Sequence, residues 1–302
     1  MHESQPVSRR AFLTTSAGAL VVPSAFAAAA GKKLVLLAGR PSHGPLEHEF
    51  NAGTLLLKKC LAGVPGLEVE HYRNGWPDSE RAFEGASGIF LYADGGAGHP
   101  FLQRDHLSII GDLMRRGVGL LCAHFAVEVP KDKGGKPFQD WIGGYYEHLW
   151  SCNPMWTPEF KDLPDHEITR GVQPFSIRDE WYFNMRFRPK MKGVQSILSA
   201  KPSDAVRDGP YVYPRGPYPH IQKEKGRAET MMWAVERADG GRGVGFTGGH
   251  FHKNWQDDNF RKVVLNAALW ICKVEVPRDG VASAVTESEI KENLDPKGSP
   301  KK

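Results

Sequence analysis

Cysteine is scarce in this chain: Cys60, Cys122, Cys152 and Cys272 are the only four among 302 residues. Their spacing matches neither a zinc ribbon nor a disulfide framework, and an oxidising compartment would permit disulfides whose pairing the sequence leaves open. Cys60 and Cys272 fall in amphipathic helical patterns, where a small buried hydrophobe is the expected role. Charge of one sign is equally lacking. The formal charge is only +4 and the basic residues are scattered, which leaves no footprint for nucleic acid. Internal repeats are absent. The glycine-rich stretch Asp94-Gly95-Gly96-Ala97-Gly98-His99-Pro100 carries no Lys-Ser/Thr and reaches a helix only after Phe101, which argues against a bound nucleotide. What is plentiful is glycine, with 33, and proline, with 22, the signature of tight turns and long structured loops rather than a helix bundle. An apolar fraction of 40% and eight tryptophans suffice for a sizeable core.

The N-terminal segment reads as an export signal. Ser8-Arg9-Arg10-Ala11-Phe12-Leu13 places two adjacent arginines before Phe-Leu, and a mildly apolar stretch runs from Ala11 to Val22. Pro23 and Ser24 break it, and Ala25-Phe26-Ala27 is a small-x-small cleavage site. A membrane anchor needs about twenty strongly apolar residues, and this segment is short and rich in Ala, Gly, Ser and Thr. Residues 1–30 are therefore expected to be a twin-arginine signal, with a periplasmic or secreted mature protein and no stable membrane insertion after cleavage.

Beyond it, one large domain is expected over residues 31–277. Lys33 to Ala38, Gly88 to Tyr92 and Val118 to Ala123 are short apolar runs typical of buried parallel strands, and Leu67 to Tyr72 alternates as a strand. Between them, Glu49 to Leu61 and Arg104 to Arg116 carry apolar residues at helical spacing. This alternation predicts an α/β fold with a parallel sheet covered by helices on both faces. The C-terminal half is loop-rich, with strands expected over Ser176–Asn184, Gln195–Ser199, Thr230–Arg237 and Gly243–Thr247, and a helix over Asn259–Cys272. Residues 278–302 read as a polar, disordered tail.

Functional residues of such a fold gather at the carboxyl ends of the strands. Four segments there carry histidine or carboxylate: His43 with Glu47-His48-Glu49, Cys122-Ala123-His124, Gly249-His250-Phe251-His252, and Asp179-Glu180-Trp181. Imidazole suits proton transfer near neutral pH and binding of zinc or a similar divalent metal. The carboxylates can complete a metal shell, orient a histidine or act as a base. Each has a structural alternative: His124 as a loop hydrogen-bonding group, His48 and its flanking glutamates as a helix start, His252 as the outward member of an H-x-H pair. His48, His124, Glu180 and His250 are assigned as catalytic, with His124 and His250 also as metal ligands. His43, Glu49, Asp94, Trp181 and His252 are assigned to substrate binding. Asp179 reads as a surface or orienting group. The remaining histidines His71, His106, His148, His166 and His220 read as surface or structural. Trp76, Trp141, Tyr145, Trp150, Trp156, Trp181 and Trp255 are core residues, of which one or two could line a sugar-stacking surface.

These segments, with Gly143-Gly144-Tyr145-Tyr146, His166-Glu167-Ile168-Thr169-Arg170-Gly171-Val172 and Leu265-Asn266-Ala267-Ala268-Leu269-Trp270, resemble the ThuA-like (trehalose utilisation) family. The resemblance implies a flavodoxin-like, amidotransferase-like fold. In amidotransferases a nucleophilic cysteine occupies the elbow after such a strand; here His124 stands there and Cys122 falls two residues earlier, so glutaminase activity is not expected. It further implies a carbohydrate substrate, a glycoside or 3-keto-glycoside that is cleaved or rearranged, with a non-catalytic sugar-binding protein as the alternative and a two-carboxylate glycosidase pair (Glu180 with Asp179 or Glu49) as a third reading. The assembly, monomer or homodimer, is left open. Replacing Arg9 and Arg10 by Lys should hold the protein in the cytoplasm, and N-terminal sequencing of exported wild type should begin at Ala28; export of the double variant at the wild-type level would contradict the signal.

Overall fold

Short apolar runs that leave no side for solvent build the centre of this molecule. A computed structural model describes residues 1–2 and 31–297; the remainder of the expected signal and residues 298–302 lie outside the described residues. Lys32–Ala38 (β1), Leu67–Tyr72 (β2), Ala86–Tyr92 (β3) and Gly119–Ala123 (β4) are joined by Val194–Ala200 (β5), Glu229–Glu236 (β6) and Arg242–Phe246 (β7) in one seven-stranded sheet. The order is β5-β6-β7-β4-β3-β1-β2. Successive residues point to opposite faces, and both faces are dry. Leu34, Leu36, Phe90 and Leu121 pack on Phe50–Leu61 (α1) and Asp258–Ile271 (α3), whereas Val35, Leu37, Ile89 and Leu120 pack on His106–Arg115 (α2). The Asp257 carboxylate caps α3 by accepting from the N–H groups of Asn259 and Phe260 at 3.0 and 2.9 Å. At Gly119 a Cβ would lie 2.1 Å from the Ile271 carbonyl, so glycine lets the end of α3 sit directly on β4.

The expected α/β fold with a mostly parallel central sheet is present, with one refinement at its edge, and two further expectations are corrected. The sheet is mixed, because β6 runs antiparallel to both neighbours. Only residues 237–241 connect β6 to β7, with Arg237 N–H donating to the Gly241 carbonyl, and so short a link permits a hairpin but no crossover. Ser176–Asn184 is not one strand. Residues 179–183 are buried without interruption, which no strand with a solvated face allows; the segment is an inward loop touching two-residue ladders at Phe175–Ser176 and Asp179–Glu180. The expected disordered tail is placed as far as Lys297. A capping box of Thr286 and Glu289 starts the short helix Glu287–Ile290 (α4), and beyond it Asp295 N–H donates to Glu49 Oε2 at 3.0 Å. Lys297 Nζ lies 3.3 Å from Glu49 Oε1. Low apolar content concealed this strap because its anchors are polar.

The loop after β3 contains a histidine that the fold holds neutral. His99 is fully buried, its Nε2–H donating to the Ala126 carbonyl at 3.1 Å and its Nδ1 accepting from Phe101 N–H at 3.1 Å. Burial pushes its pKa down to about 4. A depressed imidazole supports the fold above its ordinary value and loses that support as pH falls toward the folded value. In metal-free protein the melting temperature should therefore decline between about pH 6.5 and pH 4, with His99 accounting for about 3 kcal/mol. His99→Gln, neutral at every pH, should flatten part of that decline in thermal melts; an unchanged slope would contradict the assignment.

Candidate metal centre

Strand ends bring the chemistry together. The loop leaving β1 carries His43 and His48, β3 ends before Asp94, β4 runs directly into His124, and β7 leads through Thr247 to His250. Glu180 arrives from the inward loop. The backbone is unusual here: His43, His48 and His124 have φ of 59°, 46° and 54°, the left-handed region that non-glycine residues seldom occupy. Gly249, at φ 118°, turns the chain so that its own N–H and that of His250 both donate to the Asp179 carboxylate, at 3.1 and 2.9 Å. Asp179 is fully buried and also accepts from Glu180 N–H and Asn254 Nδ2 at 2.7 Å each. It is a brace for two of the functional loops.

The inner atoms form a tight group. His48 Nε2 lies 3.0 Å from His124 Nε2 and 3.0 Å from His250 Nδ1. Glu180 Oε2 lies 2.9 Å from His250 Nδ1 and 3.4 Å from His124 Nε2. One ligand atom from each of the four buried residues falls within 4.8 Å of every other. The outer atoms decide the tautomers. His48 Nδ1 is 3.0 Å from Asp94 Oδ1, and His124 Nδ1 is 2.9 Å from the Thr247 carbonyl. Carbonyl and carboxylate oxygens only accept, so each Nδ1 carries a hydrogen and each Nε2 presents a lone pair. Two lone pairs 3.0 Å apart repel unless a proton or a cation lies between them. A tetrahedral ion at 2.0–2.1 Å from each ligand would hold neighbouring donor atoms about 3.3 Å apart. The donor set of three imidazoles and one carboxylate fits a divalent ion such as zinc. So does the outer ring, in which a carboxylate or carbonyl orients the ligand histidines. Asn153 Nδ2 does the same for Glu180, donating to Oε1 at 2.8 Å.

Charge follows the same plan. Burial pushes His48 well below its ordinary pKa, and the neighbouring His124, His43 and His250 push it further. Burial also opposes ionisation of Glu180, yet the neighbouring His124 and His250 favour the charged carboxylate and bring it down to about 2. Burial resists a proton on His250, but Glu180 outweighs it and raises the pKa. The centre therefore presents one permanent negative charge among lone pairs.

A family model described as ThuA, trehalose utilisation, matches residues 94–271. The chain belongs to this family. The match contains His124, Glu180 and His250 and starts at Asp94, so the loop bearing His48 precedes it. Among solved structures the chain is similar to a ThuA-like protein from Bacteroides uniformis, at 15% identity over 83% of this chain and 95% of the other, with a TM-score of 0.57. It is also similar to one from Parabacteroides merdae, at 14% identity over 85% and 94%, with a TM-score of 0.55. At such identities the likeness shows the fold. The comparison with curated proteins finds no match.

In this ThuA-family chain the residues assigned from sequence divide into two groups. His48, His124, Glu180 and His250 converge, and His43 and Asp94 stand at their mouth. His43 stacks on His48 with ring centroids 3.5 Å apart and stays partly exposed, its Nδ1 3.0 Å from Ser42 Oγ. Three assigned binding residues lie elsewhere. Trp181 points away from Glu180 into the core against Phe160, Phe246 and Phe260, donating from Nε1 to the Ile177 carbonyl. His252 faces away from His250, and its Nε2 donates to the Ile290 carbonyl at 3.0 Å. Glu49 is buried under the C-terminal strap. Alternation explains Trp181, which is adjacent to Glu180; His252 is turned away because it opens the helical turn His252–Gln256. Sequence reasoning missed Tyr182, whose hydroxyl donates to His124 Nε2 at 3.2 Å, and Asn153; no spacing marks either one. Cys122 lies buried inside β4, where burial raises its thiol, so the elbow presents imidazole and no thiolate.

Purified protein loaded with zinc and dialysed should retain one ion per chain by plasma mass spectrometry. His124→Ala and His250→Ala should abolish retention, and Asp94→Asn should weaken affinity about 10–100-fold. No stoichiometric ion in the wild type would contradict the centre.

Proposed function

We propose that this protein is an exported, metal-dependent carbohydrate-active enzyme that cleaves or rearranges glycosides or 3-keto-glycosides. The observation that carries the reading is the convergence of two oriented Nε2 lone pairs, His250 and the Glu180 carboxylate on one buried point. The trehalose-utilisation family supports a sugar substrate. A divalent ion at that point supplies Lewis-acid polarisation of a substrate oxygen. The chain's own groups do the rest. Burial raises the Tyr182 hydroxyl well above its ordinary pKa, so it remains a donor beside His124. His43, partly exposed over His48, is the accessible base for a C–H acidified by a neighbouring keto group. A cleft of about 1070 Å³ adjoins the centre, shares Asp94 with it and is lined by Arg40, Asn74, Trp76 and Arg104, a polar wall suited to hydroxyl groups. Residues 1–30 are proposed to direct export, and the twin-arginine route accords with loading an ion before crossing.

The alternatives find less support. A non-catalytic sugar binder that grips with aromatic faces would need free tryptophan faces, yet Trp181, Trp255 and Trp156 are core residues, and Trp76 in the cleft wall already stacks one face on His106. A glycosidase pair of Glu180 with Asp179 or Glu49 needs a second available carboxylate, and both candidates are saturated by donors.

The metal-loaded protein, screened against 3-keto and unmodified disaccharides, should turn over the former. His124→Ala should lower kcat by on the order of 10³-fold with little change in the melting temperature measured on both proteins without metal. Unchanged turnover in that variant overturns the assignment. Sugar binding without metal or turnover would instead favour the binding protein.

A further inference from the structure

One carboxyl group, at the end of the turn that His124 opens, takes no part in the scheme above. Glu128 closes the single turn His124–Val127 that begins with a ligand histidine. Its backbone is pinned from three directions: its N–H donates to the Phe125 carbonyl at 2.9 Å, its carbonyl accepts from Gly96 N–H at 3.0 Å, and Tyr146 N–H donates to the adjoining Val127 carbonyl at 2.8 Å. Glycine is required on the facing loop, since a Cβ on Gly95 would lie 2.1 Å from the Phe125 carbonyl. That approach sets the side chain over the loop, where a Cβ on Gly96 would lie 3.7 Å from Glu128 Oε1. The residue is half-buried. Its carboxyl has no hydrogen-bond or ion-pair partner among the described residues. The other acids here differ: Asp94 is held by His48, Glu180 by Asn153 and His250, Asp179 by four N–H groups, and Glu49 by the strap. A carboxyl saturated by internal donors braces the protein, whereas one fixed in position and left unpaired is available to a ligand.

We propose that Glu128 is the proton donor to the departing oxygen of the substrate, an inference that rests on the glycoside-cleaving reading above. In the step, the C–H proton beside the keto group passes to His43 and its electron pair becomes a C=C bond. The C–O bond to the leaving group breaks with its pair remaining on oxygen, and the Glu128 O–H proton transfers to that oxygen. Glu128 ends ionised and His43 protonated, and exchange with water restores both. In the metal-free protein burial first, and the negative charge of Glu180 second, push the Glu128 carboxyl up to about 7; an ion at the centre offsets the second cause and leaves burial, the larger one, to favour the protonated form.

Leaving-group dependence separates this role from a structural one. Two 3-keto-glucosides, one with a nitrophenol and one with methanol as leaving group, would be compared on zinc-loaded wild type, Glu128→Gln and Glu128→Asp. Nitrophenolate departs without help, so Glu128→Gln should lose less than about tenfold in kcat there and about 10²–10⁴-fold on the methyl glycoside. Glu128→Asp should recover part of the latter. Zinc stoichiometry and melting temperature should match wild type in both variants. Equal losses on the two substrates, or loss of zinc from Glu128→Gln, overturn the role of Glu128 alone. Wild-type inactivity on both glycosides overturns the cleavage reading and this inference with it.

Discussion

Two hydrogen bonds determine what the rest of this structure is for. Asp94 fixes the outer nitrogen of His48, and the Thr247 carbonyl fixes that of His124. Either ring, left free, could flip or change tautomer and become an ordinary buried histidine. Held as they are, both aim electron pairs at one point, and the fold must tolerate that arrangement when no positive charge occupies it. Much of the surrounding architecture serves this end. The left-handed backbone at His48 and His124, the turn at Gly249 and the saturated Asp179 all hold loops from separate strands at one spot.

The sheet was largely legible from the sequence. KLVLLA, GIFLY and VGLLCA could be read as buried strands because their dry environment demands apolar residues at every position. The four convergent residues were legible for a related reason, since a topological rule places polar groups that follow such runs at one edge. Legibility failed where burial and polarity coincide. Asp179, Trp181 and Tyr182 are consecutive or nearly so and all buried, yet they face three different environments, and no periodicity encodes that. The C-terminal strap was read as disordered because its attachments are Asp295 and Lys297 rather than leucines.

The carboxylates illustrate how one chemical group is put to unlike uses by its neighbours. Asp179, with four donors, is wholly internal in its commitments. Glu180 is divided, one oxygen given to Asn153 and the other to the centre. Glu128 is committed to nothing. Glu49 was grouped with the site from its position next to His48, yet it turns back and binds the end of the described chain. Proximity in sequence thus said less about role than did the count of donors around each acid.

The histidine cluster also bears on how the chain reaches its native state. His48 meets His124 across 76 residues and His250 across 202, and Glu49 meets Asp295 across 246. Contacts so far apart carry a heavy loop-closure entropy and follow, rather than precede, pairing of the local strands. A disordered chain offers an ion only scattered imidazoles and the single pair His250 and His252. Binding would then deepen the finished state by mass action while leaving the early events of folding untouched. The ion would act as a latch that slows escape from the native basin, and its loss would show first as faster unfolding rather than slower folding.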